Sequence, residues 1–436
     1  MLLKIILGFM VLYVPYELHF QKYFPLDVGF KGLNLFNLVF LLAWVVMVIA
    51  GIKAKTPAPL RTRFLLFFAA ICIAYFLGQG YDSSTTLDDL TVLKNAILYM
   101  LLYFLFYHAV QDVKTIRLFF ALILGVALLA SLEMVREAIG YGIGSYNVSH
   151  RVAGPFGPYD YKASNLASAY LVMFIPVFAS VFMFYKSKPL YRWIAFGSAI
   201  VCVMAVFFTG SRQAYLILVL VFVLLAFRRG ILTAVLLTAF LVMGYEYFVP
   251  QSAIQRIQMT ETVDEMGNKT VDESTESRLV QWSGALELVK DRPWGIGLNH
   301  FKREIGTFSV YSRLDAHNFY VLILTEAGIQ GLAALLLVLM GLYGLARRLQ
   351  RIDSSEETQL LGYGYMMAVV CMMLGNVYGS RFFDAQVMGN FWMLSGIVAR
   401  YYTLALETAD EGTEARAGSL SGGRNRFSHL KRETYV

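Results

Sequence analysis

Residues Leu33 to Leu77 read LNLFNLVFLLAWVVMVIAGIKAKTPAPLRTRFLLFFAAICIAYFL, two apolar blocks, Leu33 to Ile52 and Phe64 to Leu77, around a short loop carrying Lys53, Lys55, Arg61 and Arg63. A surface helix of a soluble protein is apolar on one stripe only; these blocks are apolar all round, which is the composition of a segment that crosses a bilayer. The pattern recurs along the 436-residue chain, of which 58% is hydrophobic and 15% charged. Beyond those two blocks, Leu2 to Phe20, Val92 to Val110, Leu118 to Met134, Asn165 to Tyr185 and Trp193 to Phe208 read the same way. So do Tyr215 to Phe227, Ile231 to Phe248, Asn318 to Ala346, Leu360 to Tyr378 and Gln386 to Leu404. With roughly 20 apolar residues needed per span, the expected fold is an all-α polytopic membrane protein of about 12 transmembrane helices.

Short loops rich in Lys and Arg stay in the cytoplasm, so the basic residues orient the bundle. Lys114 and Arg117, then Lys186, Lys188 and Arg192, then Arg228 and Arg229, then Arg347, Arg348 and Arg351 fall on alternate loops, in phase with the Lys53 to Arg63 loop. Both termini are thereby expected inside. Residues 1–408 form the expected bundle, and 409–436, with Arg416, Arg424, Arg426, Lys431 and Arg432 among Gly and Ser, are expected to be a disordered cytoplasmic tail. The formal charge of +7 is on this reading a topology signal and gives nucleic-acid binding no support. Cys72, Cys202 and Cys371 each fall inside an expected span, too far apart in sequence for a disulfide framework or a metal set. The first apolar block lacks a small-residue cleavage site and leads into further spans, so no signal peptide is expected.

Two outer loops are long enough to build a polar site: 136–164 and, larger, the periplasmic loop at 247–316. In the second, Thr262 to Glu265 and Thr270 to Glu273 flank Gly267 and Asn268, which suggests an acidic, solvated β-hairpin rather than a calcium loop. An amphipathic helix is expected near 278–290, capped by Ser277, with Leu279, Trp282, Leu286 and Val289 on its apolar face and Pro293, Gly295 and Gly297 stopping it. Arg278 falls in the first turn of that helix, where the dipole favours an anion over a cation, so an anion shared with the helix amides would account for it.

Other charged residues fall on the same outer side. Arg212, in FFTGSRQAY, sits in a turn so tight that its guanidinium lies at the outer lipid boundary, where a cavity or a counter-charge is expected. Arg381 can pair with Asp384 three residues on, and Arg151 precedes AGPFGPYDY as a loop arginine. His317, in DAHNFYVLILTEAGIQGL, can take a proton from a hydroxyl at its unperturbed pKa of about 6.5, with Asp315 close enough in sequence to orient it. Asp88 and Asp89, adjacent at a helix start, read as a cap rather than as metal ligands.

TGSRQAY, then SRLVQWSGALELVKDRPWGIGLNHF, then DAHNFYVLILTEAGIQG resemble, in order and spacing, the O-antigen ligase and O-antigen polymerase superfamily of bacterial envelope glycosyltransferases. The resemblance covers roughly 151–345 and implies a bundle of the C-type glycosyltransferase kind. Its periplasmic cavity would move a glycan from undecaprenyl pyrophosphate to a hydroxyl, such as that of a lipid A-core oligosaccharide. By that resemblance Arg212 and Arg278 match the arginines that grip the pyrophosphate and His317 the catalytic histidine, while Arg151, Asp315, Arg381 and Asp384 are candidates for support. Where relatives carry Pro-Asn, this chain has Ser164-Asn165 after Ala163, so Asn165 inherits no role.

The residues suit that chemistry directly. Pyrophosphate is already a good leaving group, guanidinium forks match its oxygens, and a base aimed at the acceptor hydroxyl completes an inverting transfer with no metal and no cofactor. Two other readings stay open: a polymerase that extends lipid-linked repeat units, and a transporter or flippase of lipid-linked sugars. For the last, only Glu326 lies well inside an expected span.

Overall fold

The structure is a computed structural model that describes residues 1–25, 33–142, 150–157, 160, 163–228, 230–233, 235–236, 238–239, 243, 251–258, 261–263, 269–271, 273–311 and 313–428. Among these, seven helices are long and apolar enough to cross a membrane. They are α4 (Arg61–Tyr81), α5 (Thr86–Ala109), α6 (Val113–Tyr141), α7 (Ser164–Phe184), α8 (Pro189–Phe208), α14 (Gly328–Leu349) and α15 (Glu356–Gly375). The chain is a multi-pass membrane protein.

Among the described residues the expected count of about twelve is not confirmed, and local features bear on it. The first block is broken into α1 (Leu2–Tyr13) and α2 (Glu17–Tyr23), which meet at 101°. Pro15 lies in the break, where its ring and missing N–H forbid a continuous helix. Two further apolar helices, α3 (Leu35–Ile49) and α9 (Arg212–Phe227), are shorter than a full span. Much of the block expected at Ile231 to Phe248 lies outside the described residues. The long block at Asn318 to Ala346 is also two helices, α13 (Phe319–Glu326) and α14, parted at Gly328 with φ +71°. The last helix, α16 (Ala385–Ser428), continues in backbone well past the block that ended at Leu404 and into the stretch expected to be disordered.

In the 247–316 loop, α10 (Gln251–Gln258) precedes two antiparallel strands, β1 (Glu261–Val263) and β2 (Lys269–Val271), paired with Thr262 opposite Thr270. This is the strand pairing the repeated Thr-Val arms suggested; the expected turn at Gly267 and Asn268 lies outside the described residues. The strands lead into α11 (Glu273–Asp291), which begins five residues earlier than a cap at Ser277 would have it, so Ser277 is not its cap and Arg278 is not in its first turn.

Helices α7 and α15 are the most enclosed of the spans, and they meet where Gly364 leaves room for the Ser180 hydroxyl, which donates to Leu360 O at 2.9 Å. Around them the loops sort to two ends. At one end Arg117 clasps Glu357 through two bonds of 2.7 Å, the Ser187 amide donates to Glu356, and Tyr107 meets Thr56. This end carries the basic loops. The other carries the candidate site.

Candidate active site

The site end is organised by the helix break. Parting α13 from α14 frees carbonyls that cannot be left bare in a membrane protein, where each unsatisfied buried backbone group costs several kcal/mol. The segment after α11 fills them: Ile296 N donates to Thr325 O at 2.9 Å and Gly297 N to Glu326 O at 3.0 Å. The glycines of Pro-Trp-Gly-Ile-Gly permit the approach. Gly297 has φ +108° and lies so close to Gly78 of α4 that a Cβ would collide with its backbone, and Leu298 N donates to Ala74 O at 3.1 Å. Glu326, 5% exposed, closes the knot by accepting from Phe301 N at 3.1 Å.

The continuation, Asn299 to Arg303, is clamped by one carboxylate. Asp89 of α5 accepts from Asn299 and Arg303 at 2.8 Å each, from Gln79 and Thr85 at 3.1 Å each, and meets the buried His300 at 3.3 Å. The cap expected from Asp88 and Asp89 is therefore not what Asp89 does; it faces inward to tie two loops together. Sequence spacing held no signal for the tie to Asn299, His300 and Arg303, which lie some 210 residues away.

These fastenings hold α12 (Phe301–Glu304), whose Lys302 reaches Asp315 at 3.7 Å. Asp315 also accepts from the Ser380 hydroxyl at 2.7 Å and from the His317 amide at 2.8 Å. His317 itself has φ +47°, a left-handed conformation that His, Asn and Asp adopt more readily than other side chains. Asn318 then caps α13, its Oδ1 accepting from Tyr320 N at 2.9 Å and Val321 N at 3.1 Å. Asp-Ala-His-Asn is thus a turn, a twisted residue and a cap, and its product is a fixed imidazole direction.

Helix α11 is held over this turn by Trp282, whose Nε1 donates to Ala316 O at 2.8 Å. Arg278 stands one turn before Trp282 on the same side. The face of α11 turned to the bundle is Gln281, Ala285 and Leu288, while Leu279 and Leu286 of the expected apolar stripe are 54% and 52% exposed. Small residues explain the difference: Gly284 packs so tightly against Phe308 O that a Cβ would clash, and only this face admits that approach. Leucines left on the far side suit a helix at a lipid boundary.

The third wall is 376–384. Phe319 N donates to Asn376 O at 2.9 Å, Arg381 N to Asn376 Oδ1 at 3.0 Å, and the Arg381 guanidinium lies 3.9 Å from Asp384. Burial pushes the Asp384 carboxyl up, against the opposing pull of Arg381 and of the Gln386 and Val387 amides. Glu17 of α2, which the sequence did not single out, lies within electrostatic reach of Asp384.

Burial lowers the His317 pKa; Asp315 opposes this, and Arg278, Arg381 and Lys302 depress it further. Asp315 is held low although burial opposes it, because Ser380, the His317 amide, His317 and Lys302 all favour its charge. The arrangement is an imidazole of lowered pKa within electrostatic reach of three cations, beside a carboxylate that holds its backbone. His317, Asp315, Arg278 and Arg381 are brought together, with Lys302 added.

Arg212 and Arg151 sit on a neighbouring turn. Arg212 opens α9, and the next residue, Gln213, donates to Gly375 O at 2.6 Å, fastening that turn to the segment that leads to Arg381. Arg151 is buried rather than a plain loop arginine: its Nε donates to Thr209 O at 2.7 Å and its Nη2 to Asn165 Oδ1 at 2.8 Å, beneath Gly210. It props the Arg212 turn from below, and Asn165 is part of the prop.

With this geometry in place, the comparison with family models is decisive: residues 197–336 match the model described as O-antigen ligase. That match supports membership of the O-antigen ligase superfamily. The matched segment runs from within α8 into α14 and includes Arg212, Arg278, Lys302, Asp315 and His317. Arg151, Arg381 and Asp384 lie outside it, so their inclusion rests on the contacts above. A search of curated proteins found no match. Members of that family are membrane glycosyltransferase-like ligases and polymerases, which supports an enzyme here at that coarse level, and the family implies a lipid-linked glycan donor and a glycan acceptor.

Proposed function

We propose that this O-antigen ligase superfamily member transfers an O-antigen-like polysaccharide from undecaprenyl pyrophosphate to a hydroxyl of an acceptor such as the lipid A-core oligosaccharide, with inversion and without a metal ion. In this reading the protein lies in the bacterial inner membrane, within a bundle of about 12 spans of the C-type glycosyltransferase kind. Both termini are cytoplasmic and the His317 end faces the periplasm. His317 accepts the proton of the acceptor hydroxyl as its oxygen attacks the anomeric carbon from the face opposite the leaving group. The C–O bond to pyrophosphate breaks, and Arg212 and Arg278 take up the charge that develops on undecaprenyl pyrophosphate. Asp315 fixes the His317 backbone, and Arg381, held by Asp384, adds positive potential. Arg151 supports the turn that presents Arg212.

The observation that carries this reading is His317, half-buried with its pKa lowered, within electrostatic reach of Arg278, Arg381 and Lys302. A base must be unprotonated at working pH, and cations beside it suit a leaving group that gains negative charge. A polymerase would use the same chemistry, with a lipid-linked repeat unit as acceptor. The transporter reading loses support from Glu326, whose carboxylate is tied to the Phe301 amide as part of a rigid knot rather than standing in a path. The test is an assay of purified protein with an undecaprenyl-pyrophosphate-linked glycan, EDTA and a panel of acceptors. Release of undecaprenyl pyrophosphate with lipid A-core supports the ligase, release with a lipid-linked repeat unit moves the assignment to a polymerase, and no release with any acceptor overturns both.

A further inference from the structure

At the end of the bundle opposite His317, α3, α4 and α5 enclose a groove of about 610 Å³. Its walls are apolar and aromatic, with Trp44 and Met47 from α3, Leu65 and Phe68 from α4, and Leu101 and Phe104 from α5. Its mouth is different. Lys53, Arg61 and His108 stand there, and no aspartate or glutamate is among the described residues that line it. His108 Nδ1 is buried and makes no hydrogen bond among the described residues, although buried polar atoms almost always find a partner.

The charge balance sets this groove apart from another of about 560 Å³ between α6 and α8. There Arg117 is neutralised by Glu357 through two bonds of 2.7 Å. At the α3 to α5 groove neither exposed cation has a carboxylate against it among the described residues, and an apolar channel opens below them. From Arg61 to Phe68 the α4 wall runs seven residues, about 10 Å at 1.5 Å per residue, enough for the upper part of an acyl chain. A cationic mouth over an apolar slot in a membrane protein is complementary to one kind of molecule, a lipid with an anionic head.

We propose that this groove binds an anionic phospholipid of the leaflet at that end, its phosphate held by Lys53 and Arg61, and its acyl chain between Trp44, Leu65 and Phe104. The site is remote from His317 and does not depend on the proposed transfer.

The test uses the full chain purified in detergent, probed by native mass spectrometry and by thermal unfolding with phosphatidylglycerol, phosphatidylcholine or undecaprenyl phosphate added. Phosphatidylglycerol is expected to bind and to raise the unfolding temperature more than phosphatidylcholine does. The double variant Lys53→Gln, Arg61→Gln is expected to weaken it roughly ten- to thirty-fold, from the usual contribution of each basic residue near an anionic surface. Leu65→Trp, at a position 62% exposed and so outside the core, fills the slot and is expected to displace the lipid without lowering the unfolding temperature of the lipid-free protein. Equal binding of the two phospholipids, or phosphatidylglycerol binding untouched by both variants, overturns the proposal. Binding of undecaprenyl phosphate to the exclusion of phosphatidylglycerol overturns it as well and gives the groove to the carrier lipid.

Discussion

The backbone amide of His317 donates to Asp315 Oδ1 at 2.8 Å while His317 holds φ at +47°, so the residue that directs the imidazole is fixed through the main chain and not through the ring. Asp315 is in turn anchored by Ser380 from the far side of the site. The candidate base is thereby tied both to its own turn and to the loop that carries Arg381.

His317→Asn is expected to abolish transfer, by roughly 100-fold or more as for loss of a general base, while leaving thermal stability close to native, because Asn tolerates the left-handed conformation. His317→Ala is expected to lose the same activity and, in addition, about 1–2 kcal/mol of stability. Turnover and unfolding temperature of the two variants, measured together, separate chemistry from backbone strain.

The rate is expected to hold as pH falls past 6.5 and to drop only lower, as His317 becomes protonated at its depressed pKa. The same sign applies to stability: a histidine kept neutral by the fold contributes above its unfolded pKa, and that contribution fades as pH falls through the folded one. Removing a neighbouring cation in Arg381→Gln raises the His317 pKa and moves the acid limb of the pH–rate profile to higher pH. Asp315→Asn moves it the other way. An acid limb unmoved by either change would separate His317 from the chemistry.

Trp282→Phe keeps the ring but removes the donor to Ala316 O. The lost bond is expected to cost about 1 kcal/mol, and the slackened α11 lets Arg278 drift. KM for the lipid-linked donor should rise more than kcat falls. Arg278→Lys should also fail to restore donor affinity, since an ammonium cannot reproduce a planar two-pronged grip.

Gly297→Ala is expected to destabilise the whole site end, because the residue has φ +108° and its new Cβ would enter the backbone of Gly78. Gly80→Ala, two residues further along α4, meets nothing within 4 Å and is expected to be neutral or slightly stabilising. Thermal unfolding of the pair reads packing at one glycine against helix propensity at another.

Membrane character, the separation of basic loops from the candidate site, the Thr-Val hairpin and the closeness of Asp315 to His317 were legible in the sequence because each depends on local composition or on residues close in the chain. Three things were not. The break at Gly328 hides inside an apolar run, since its freed carbonyls are satisfied by amides from Ile296 and Gly297, a contact no local pattern encodes. The inner face of α11 is set by Gly284 and Ala285, and hydrophobicity alone pointed to the leucines instead. Asp89 and Lys302 matter through partners in distant segments, and only the assembled fold shows them.

The most direct test of the central claim is to measure donor binding and undecaprenyl pyrophosphate release side by side for the native chain and His317→Asn, with lipid A-core acceptor and EDTA present. Native protein should bind the donor and release the pyrophosphate carrier, and the variant should bind equally well and release none. A variant that turns over at the native rate would contradict His317 as the base.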